Sequence, residues 1–303
     1  MWTIHLKEGW VSLLRWEGSN ISSAKIFSCR QIPQIQDGYE KGAADKMKDT
    51  YIKEYKQIEP NNPILVEGLP GLGLVGKIAI RYLIKKLNAE KFAHLYSPHF
   101  PYFVLVNKKG NVRLLRGAFY FWKNKEGTND LILFTGDSQS QTIEGQYEIA
   151  GRMLDFAQKN DVKTIVTIGG YRMEATDKPK VFAAATVQDL LDKVLQAGAT
   201  VSSSGSPIVG TAGLILGLAR FKKINAVCLL GETRGYLPDP LAARSVLEVL
   251  KSAFNFEIDL TGLNEEIAKA ETMVTRLQKI EEKRALQAEE TRKEEDKKTT
   301  YIS

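Results

Sequence analysis

Residues 63–77 read Pro-Ile-Leu-Val-Glu-Gly-Leu-Pro-Gly-Leu-Gly-Leu-Val-Gly-Lys, and this stretch decides which fold the chain can adopt. Ile64–Val66 is a short apolar run of the kind that a buried strand makes, and the apolar spacing of Val75–Leu87 predicts a helix. The stretch therefore predicts a strand, a glycine-rich turn and a helix, which is a typical opening of an α/β fold. Four glycines join the two elements: Gly68, Gly71, Gly73 and Gly76.

The glycine-rich turn has two possible interpretations. Gly71, Gly73 and Gly76 match the dinucleotide fingerprint G-x-G-x-x-G, in which backbone N–H groups and a helix N-terminus bind a phosphate. That fingerprint also requires an acidic residue at the end of the next strand, whereas Glu90 precedes the apolar run Phe92–Tyr96. We therefore interpret the loop as a structural turn whose glycines allow positive φ and close helix–sheet packing, with a ligand pocket as the alternative.

The alternation of apolar strands and amphipathic helices continues to residue 254. Continuous β-rich runs such as Thr164–Ile168 indicate strands that are buried on both faces of the sheet. The pattern predicts a three-layer α/β fold, with a mostly parallel or mixed sheet and helices on both faces. Predicted strands are Ile64–Val66, Ala93–Tyr96, Tyr102–Val106, Val112–Gly117, Leu131–Thr135, Thr164–Ile168 and Ala226–Leu230, and predicted helices are Val75–Leu87, Thr142–Asn160, Val181–Ala197, Thr211–Phe221 and Leu241–Phe254.

Short motifs follow the glycine loop in a fixed order: Gly136–Gln139, Gly169–Tyr171, Ser206–Gly210, Gly213–Gly217, Gly231–Thr233 and Pro238–Ala243. Together with the glycine loop, they resemble the proteasome assembly chaperone family, specifically its archaeal members. The resemblance covers most of the α/β region. It implies a nucleoside-phosphorylase-like fold and a non-enzymatic protein that binds the proteasome core particle or its α subunits. The implied role is an assembly chaperone or an ATP-independent activator.

Composition narrows the class of protein. The 303 residues are 43% apolar and 26% charged, which is ordinary for a globular protein. No window holds 18 uninterrupted apolar residues, so we expect no membrane span. The first nine residues carry charges where a signal peptide needs its apolar core, which indicates a cytoplasmic protein. Cys29 and Cys228 stand alone, so we expect neither a disulfide nor a Cys-rich metal site.

The net charge is +6, and the excess of bases is spread thinly over the chain. The sequence shows no basic patch interleaved with aromatic residues and no nucleic-acid motif, so we expect no nucleic-acid partner. An acidic protein surface is the more natural partner for a mildly basic body.

A search for chemistry finds no nucleophile with its base, no phosphate loop and no metal cluster in the sequence. His94 and His99 lack a third ligand nearby, and each is expected to be a satisfied or surface histidine. Arg172 and Arg234 follow glycine turns and are expected to pair with Asp or Glu rather than to hold an anion. We therefore predict no catalytic residue, no cofactor and no metal. The alternative is a small-molecule enzyme, of nucleoside-phosphorylase or ATP-dependent ligase type, that uses the glycine-rich strand–helix loops.

Four segments are predicted. Residues 1–46 hold three of the four tryptophans without lasting periodicity, and are expected to be an atypical extension outside the folded body that is possibly not native. Residues 47–262 form the α/β domain. Residues 263–298 carry 19 charges and a narrow apolar stripe, which predicts a long charged helix with some coiled-coil character. Residues 299–303 form a tail.

The tail completes the functional prediction. By the family resemblance, proteins that dock on the core particle typically end in a hydrophobic residue, a tyrosine and one further residue. In this chain Tyr301 is antepenultimate and Ile302 takes the usual place of the tyrosine. A homo-oligomer would present several tails together, and each tail would enter a pocket between α subunits. The predicted partner-binding residues are Thr300, Tyr301, Ile302 and Ser303.

Overall fold

The structure is a computed structural model that describes residues 48–125, 127, 129–173, 178–269 and 272, and the backbone of residues 2–7 and 10–15. The chain divides into two units, Met1–Ala44 and Asp45–Ser303. In the first unit, β1 (Trp2–Lys7) and β2 (Trp10–Arg15) form an antiparallel hairpin. The apolar alternation at the start of the sequence therefore belongs to a strand. The origin of this segment stays a prediction.

The second unit is built around a nine-stranded mixed sheet. Its strands are β3 (Tyr51–Glu54), β4 (Ile64–Glu67), β5 (Glu90–Tyr96), β8 (Gly117–Trp122), β9 (Leu131–Gly136), β10 (Thr164–Arg172), β11 (Val181–Ala185), β12 (Thr200–Val201) and β13 (Asn225–Thr233), while β6 (Val104–Val106) and β7 (Val112–Leu114) form a separate hairpin. The spatial order is β12-β11-β13-β10-β4-β9-β8-β5-β3. The four central strands β13, β10, β4 and β9 are parallel. Antiparallel pairings join β11 to β13 on one side and β8 to β9 on the other, and the edge strand β12 is parallel to β11.

The described part of the second unit contains five α-helices: α1 (Val75–Lys86), α2 (Ile143–Lys159), α3 (Gln188–Gln196), α4 (Thr211–Ala219) and α5 (Pro240–Phe254). The first four lie between strands, and α5 follows β13. Two of them begin with a side-chain cap. Thr142 accepts a hydrogen bond from the backbone N–H of Gly145 before α2, and Asp239 accepts one from Ala242 before α5. Residues 263–269 are also helical.

The helices cover both faces of the sheet and create two cores. Val66 belongs to the core beneath α1, α3 and α5, together with Leu83 and Leu247. The preceding residue, Leu65, belongs to the core beneath α2 and α4, together with Met153. Successive strand residues point to opposite faces, so a strand between two helical layers must be apolar at every position. The prediction of a mixed sheet with helices is confirmed. A kinship with nucleoside phosphorylases stays a prediction.

The predicted helix Val181–Ala197 is wrong in its first half. Val181–Ala185 forms strand β11, antiparallel to β13, and the helix begins only at Gln188. The run Phe-Ala-Ala-Ala has high intrinsic helix propensity, but pairing against the buried strand β13 overrides it.

The strand predictions were too coarse on the antiparallel side of the sheet. The predicted strands Tyr102–Val106 and Val112–Gly117 shrink to the short hairpin β6–β7. The longer strand β8 begins where the second of them was predicted to end. Strands β3 and β12 were not predicted, because their lengths of four and two residues are too short for periodicity to reveal.

Candidate functional site

The glycine-rich loop lies at the carboxyl end of β4, between β10 and β9, and leads into α1. A Cβ atom on Gly68 would lie 2.3 Å from the carbonyl oxygen of Gly76. A Cβ atom on Gly76 would lie 2.4 Å from the carbonyl oxygen of Ile168 in β10. Real Cβ atoms do not approach a backbone so closely. These two glycines therefore allow the first turn of α1 to rest directly on the sheet.

The other two glycines differ from each other. Gly73 has a φ of 59°, and a Cβ atom there would lie 2.5 Å from Oγ1 of Thr233. A Cβ atom on Gly71 would meet only the side-chain nitrogen of Gln139, at 3.6 Å. The geometry therefore requires glycine at position 73 and leaves position 71 open. Leu74 follows with a φ of 50°, a conformation that non-glycine residues seldom adopt.

Protein acceptors already hold three backbone donors of this loop. The N–H of Gly68 donates to the carbonyl of Phe134 at 3.0 Å, and the N–H of Gly73 donates to the carbonyl of Gly235 at 3.3 Å. The N–H of Leu74 donates back to Gly71 at 3.0 Å. A phosphate bound in the manner of a dinucleotide would need such donors free. The topology also differs from a dinucleotide-binding βαβ unit, because β9 and β8 separate β4 from β5.

The short motifs found along the sequence meet around this loop. Oγ1 of Thr233 donates to Oδ2 of Asp239 at 2.7 Å, and the N–H of Asp239 donates to the carbonyl of Gly73 at 2.8 Å. On the other side, Nε2 of Gln139 donates to the carbonyl of Pro70 at 2.7 Å. Residues from three of these motifs therefore fix the glycine loop between neighbouring loops.

Glu67 is a buried carboxyl that the sequence analysis did not single out. It closes β4 and is 1% exposed. Its Oε1 accepts from the N–H of Leu69 at 3.1 Å, while its Oε2 has no partner within the part of the chain that the structure describes. Burial raises the pKa of Glu67 to about 8, against a smaller lowering by the Leu69 N–H, so the side chain is mainly protonated at neutral pH. The sequence signal that could have identified it is an acidic residue directly after a predicted buried apolar strand.

The surface beside the loop is apolar and exposed. Arg172 does not pair with a carboxylate in the described part of the chain. Its guanidinium carbon instead lies 4.8 Å from the centre of the Tyr236 ring, a cation–π contact. Tyr236 is 78% exposed, and Leu72 and Met173 are also exposed. Among the described residues, Arg172 therefore lacks the predicted Asp or Glu partner.

The two central histidines have different environments. His99 is satisfied as predicted, because Nε2 lies 2.9 Å from Oε2 of Glu148 and Nδ1 lies 3.0 Å from Oγ1 of Thr142. The backbone N–H of Thr50 donates to the other carboxylate oxygen of Glu148. This hydroxyl–imidazole–carboxylate set links α2 to β3 and to the loop after β5. His94 differs from the prediction, because its Nε2 is buried and has no hydrogen-bond partner among the described residues.

The chain beyond α5 packs against α1 and the core around the start of the predicted charged helix. The hydroxyl of Tyr82 in α1 donates to the carbonyl of Asp259 at 2.8 Å, and Nζ of Lys86 lies 2.8 Å from its carboxylate. Leu263 is fully buried, and Ile267 packs against the core beneath α1. Apart from residues 268, 269 and 272, the remainder of that predicted helix and the predicted tail residues Thr300–Ser303 lie outside the described residues.

Among the residues that the structure describes, no cluster of three or more His, Cys, Asp or Glu side chains is placed to hold a metal ion. Within the same residues, no helix combines the length and the apolar character needed to cross a membrane.

Comparison with known proteins gives consistent matches. A family model described as the PAC2 family matches residues 65–278. The uncharacterized protein MJ1210 of Methanocaldococcus jannaschii is 32% identical over 252 residues, which cover 82% of this chain and 96% of that protein. The crystal structure of Pyrococcus furiosus PbaB, an archaeal proteasome activator, has a TM-score of 0.73 and 40% identity, and covers 77% of this chain and 100% of that chain. Pyrococcus furiosus PbaA, an archaeal homolog of proteasome-assembly chaperone, has a TM-score of 0.62 and 27% identity, and covers 75% of this chain and 96% of that chain.

Proposed function

Because the chain belongs to the PAC2 family, we propose that it is a cytoplasmic, non-enzymatic protein that binds the proteasome core particle or its α subunits. The observation that carries the proposal is the likeness to PbaB, an archaeal proteasome activator, at 40% identity over 77% of the chain. The likeness to PbaA supports the related role of an assembly chaperone. The resemblance to archaeal proteasome assembly chaperones, first drawn from short motifs, is confirmed by these matches.

The proposal includes a homo-oligomeric body, and the β6–β7 hairpin supports it. Val104 pairs with Leu114 and Val106 pairs with Val112 across the two strands. These four side chains are between 47% and 66% exposed. An isolated two-stranded hairpin is marginally stable, and contiguous exposed apolar surface marks interaction sites. We therefore place a contact between copies of this chain at the hairpin.

Replacing Val106 with lysine is expected to dissociate the oligomer, because the contact would have to bury an unpaired ammonium group. Light scattering coupled to size-exclusion chromatography would measure the mass of the variant and of the wild-type protein. Val201→Lys is the matched control, since Val201 is an exposed valine on the edge strand β12 at the far side of the sheet. An unchanged mass for Val106→Lys, or equal dissociation by both variants, would remove the hairpin from the proposal.

The second part of the proposal concerns the tail. Residues 259–267 pack against α1, so the segment that follows them starts from a defined position on the α/β domain. An oligomer that holds several such segments would raise the effective concentration of each tail at the core particle. Tyr301 would serve as the aromatic anchor, and the terminal carboxylate as the charged group that a lysine of the α ring recognises.

Deleting residues 299–303 is expected to abolish capture by purified core particle while the mass of the oligomer stays unchanged. Tyr301→Ala is expected to weaken binding about thirtyfold, since loss of an aromatic anchor typically costs about 2 kcal/mol. Thr299→Ala is the control and should bind like the wild-type protein. Deleting Ser303 alone makes the tyrosine penultimate and should tighten binding. If the five-residue deletion binds as well as the intact chain, the contact lies on the α/β body instead.

A small-molecule enzyme is the competing function, and one observation favours it. Thr142, His99 and Glu148 have the hydroxyl–imidazole–carboxylate connectivity of a nucleophilic site. Against this, Thr142 also caps α2, and its hydroxyl accepts from the N–H of Gly145 at 3.1 Å. A thermal-shift screen with nucleosides, ATP and NAD separates the functions. A stabilising nucleoside whose effect is lost in His99→Asn would favour the enzyme, and a flat screen with tail-dependent capture favours the proteasome partner.

A further inference from the structure

A concave basic surface lies on the α1 side of the sheet, next to strands β9, β8 and β5. It encloses a cavity of about 410 Å³. Five cations and one carboxylate line this cavity, which we call the basic pocket: Lys77, Arg81, Lys91, Arg113, Arg116 and Asp137. They come from α1, β5, β7 and the ends of β8 and β9. The pocket is separate from the backbone donors of the glycine loop, although Lys77 directly follows Gly76 in the sequence.

The positive charge of the basic pocket is largely uncompensated. Arg113 makes a bidentate pair with Asp137, with Nη1 2.6 Å from Oδ2 and Nη2 2.9 Å from Oδ1. The other four cations of the pocket make no ion pair with any carboxylate that the structure describes. Cations held together at short range repel one another, and they repel most strongly where water is partly excluded. The pocket therefore lacks the negative charge that would balance it.

Burial strengthens this argument. The pKa values of Lys77 and Lys91 are both lowered, first by burial and then by neighbouring arginines. For Lys77 the carboxylate of Asp137 opposes part of that lowering. The two ammonium groups have thus lost part of their hydration without gaining a partner. An anion that enters the pocket would meet donors that interact more strongly than fully hydrated surface lysines do.

His94 also lines the basic pocket. Its ring centre lies 5.2 Å from that of Tyr55 and 5.9 Å from that of Tyr96, so the imidazole is held in place. Nε2 is buried and has no hydrogen-bond partner among the described residues. Burial, followed by Arg116, Lys91 and Arg113, lowers the pKa of His94 to about 4. Buried polar atoms are nearly always paired in native proteins, so this unpaired nitrogen is an exception among the described residues.

We propose that the basic pocket binds a small ligand that carries two or more oxoanion groups, either phosphate or carboxylate. The size of the cavity suits a small ligand. Guanidinium groups match both kinds of oxoanion, because their N–H donors form parallel pairs of hydrogen bonds. Asp137 acts as a positioning residue that orients Arg113 toward the cavity. The inference goes beyond the proteasome role and does not depend on it.

Pyrophosphate and citrate, titrated separately into the full chain at constant ionic strength, test the proposal. We expect saturable calorimetric binding of at least one of them and a rise in melting temperature that sodium chloride does not reproduce. The tighter of the two identifies the ligand as a phosphate or a carboxylate compound. Arg81→Gln is expected to weaken that binding about tenfold, as loss of one charge-assisted contact should. Arg81 is exposed, so the variant should fold.

Lys85→Gln is the matched control, because Lys85 is an exposed cation on the same helix that does not line the pocket. It should bind the anion within about twofold of the wild-type protein, since it keeps every pocket contact. Without ligand, Arg81→Gln should also melt no lower than the wild-type protein, because it relieves repulsion. Failure of both anions to exceed chloride would overturn the proposal, as would equal losses in the two variants. Binding only of an acidic peptide or an oligonucleotide would also overturn it.

Discussion

Replacing Gly76 with alanine is expected to destabilise the α/β domain by about 3 kcal/mol or more, or to prevent folding altogether. The added Cβ atom would lie 2.4 Å from the carbonyl oxygen of Ile168 and 3.0 Å from Cα of Gly68. Both obstacles are backbone atoms, so no side-chain rotation relieves them, and α1 must move away from the sheet. Urea denaturation followed by circular dichroism would measure the change in the free energy of unfolding.

Gly151→Ala is the control, because it makes the same chemical change within α2. A Cβ atom there would meet nothing within 4 Å. Helix propensity alone predicts that alanine stabilises either helix by about 1 kcal/mol, so this variant should gain stability. Opposite signs for the two variants would show that contact with the sheet, and not local propensity, fixes glycine at position 76. Equal stabilities would mean that α1 does not rest directly on β10.

The central part of the fold could be predicted from the sequence, since each parallel strand is a continuous apolar run. Ile64–Glu67 and residues 165–168 are buried on both faces, and such runs have few alternatives. The strands with antiparallel pairings were less predictable. Strand β11 depends on pairing with β13, and the alanine-rich segment of β11 carries no local sign of that partner. Short strands such as β3 likewise become strands only through their neighbours.

The site could be predicted in part, for a related reason. The glycine loop could be predicted because the close packing of α1 on the sheet requires several glycines within one short stretch of sequence. The basic pocket was not visible, because Lys77, Arg81, Lys91, Arg113 and Arg116 span forty positions and meet only through the packing of α1 beside β5 and β8. The expectation of no basic patch considered only residues that are close together in the sequence. A search along the sequence finds runs of charge, whereas the fold collects charge from separate segments.

The second large effect concerns pH. The pKa of Glu67 is raised to about 8 in the folded protein from 4.5, the value expected for the unfolded chain. Below pH 4.5 the carboxyl is protonated in both states, and its contribution to stability is fully present. Between pH 4.5 and 8 the unfolded chain alone releases the proton, so the free energy of unfolding falls by about 1.4 kcal/mol per pH unit. The full loss is about 5 kcal/mol above pH 8.

Glu67→Gln should therefore flatten the dependence of stability on pH, because glutamine stays neutral and keeps an acceptor for the N–H of Leu69. At pH 5 the variant is expected to be slightly less stable than the wild-type protein, since its buried amide adds donors without partners. At pH 8 the order should reverse. Denaturant midpoints at both pH values, at one protein concentration, would measure this, with Glu257→Gln as the exposed control that keeps the wild-type profile. Parallel pH profiles for Glu67→Gln and the wild-type protein would mean that Glu67 is ionised in the folded state.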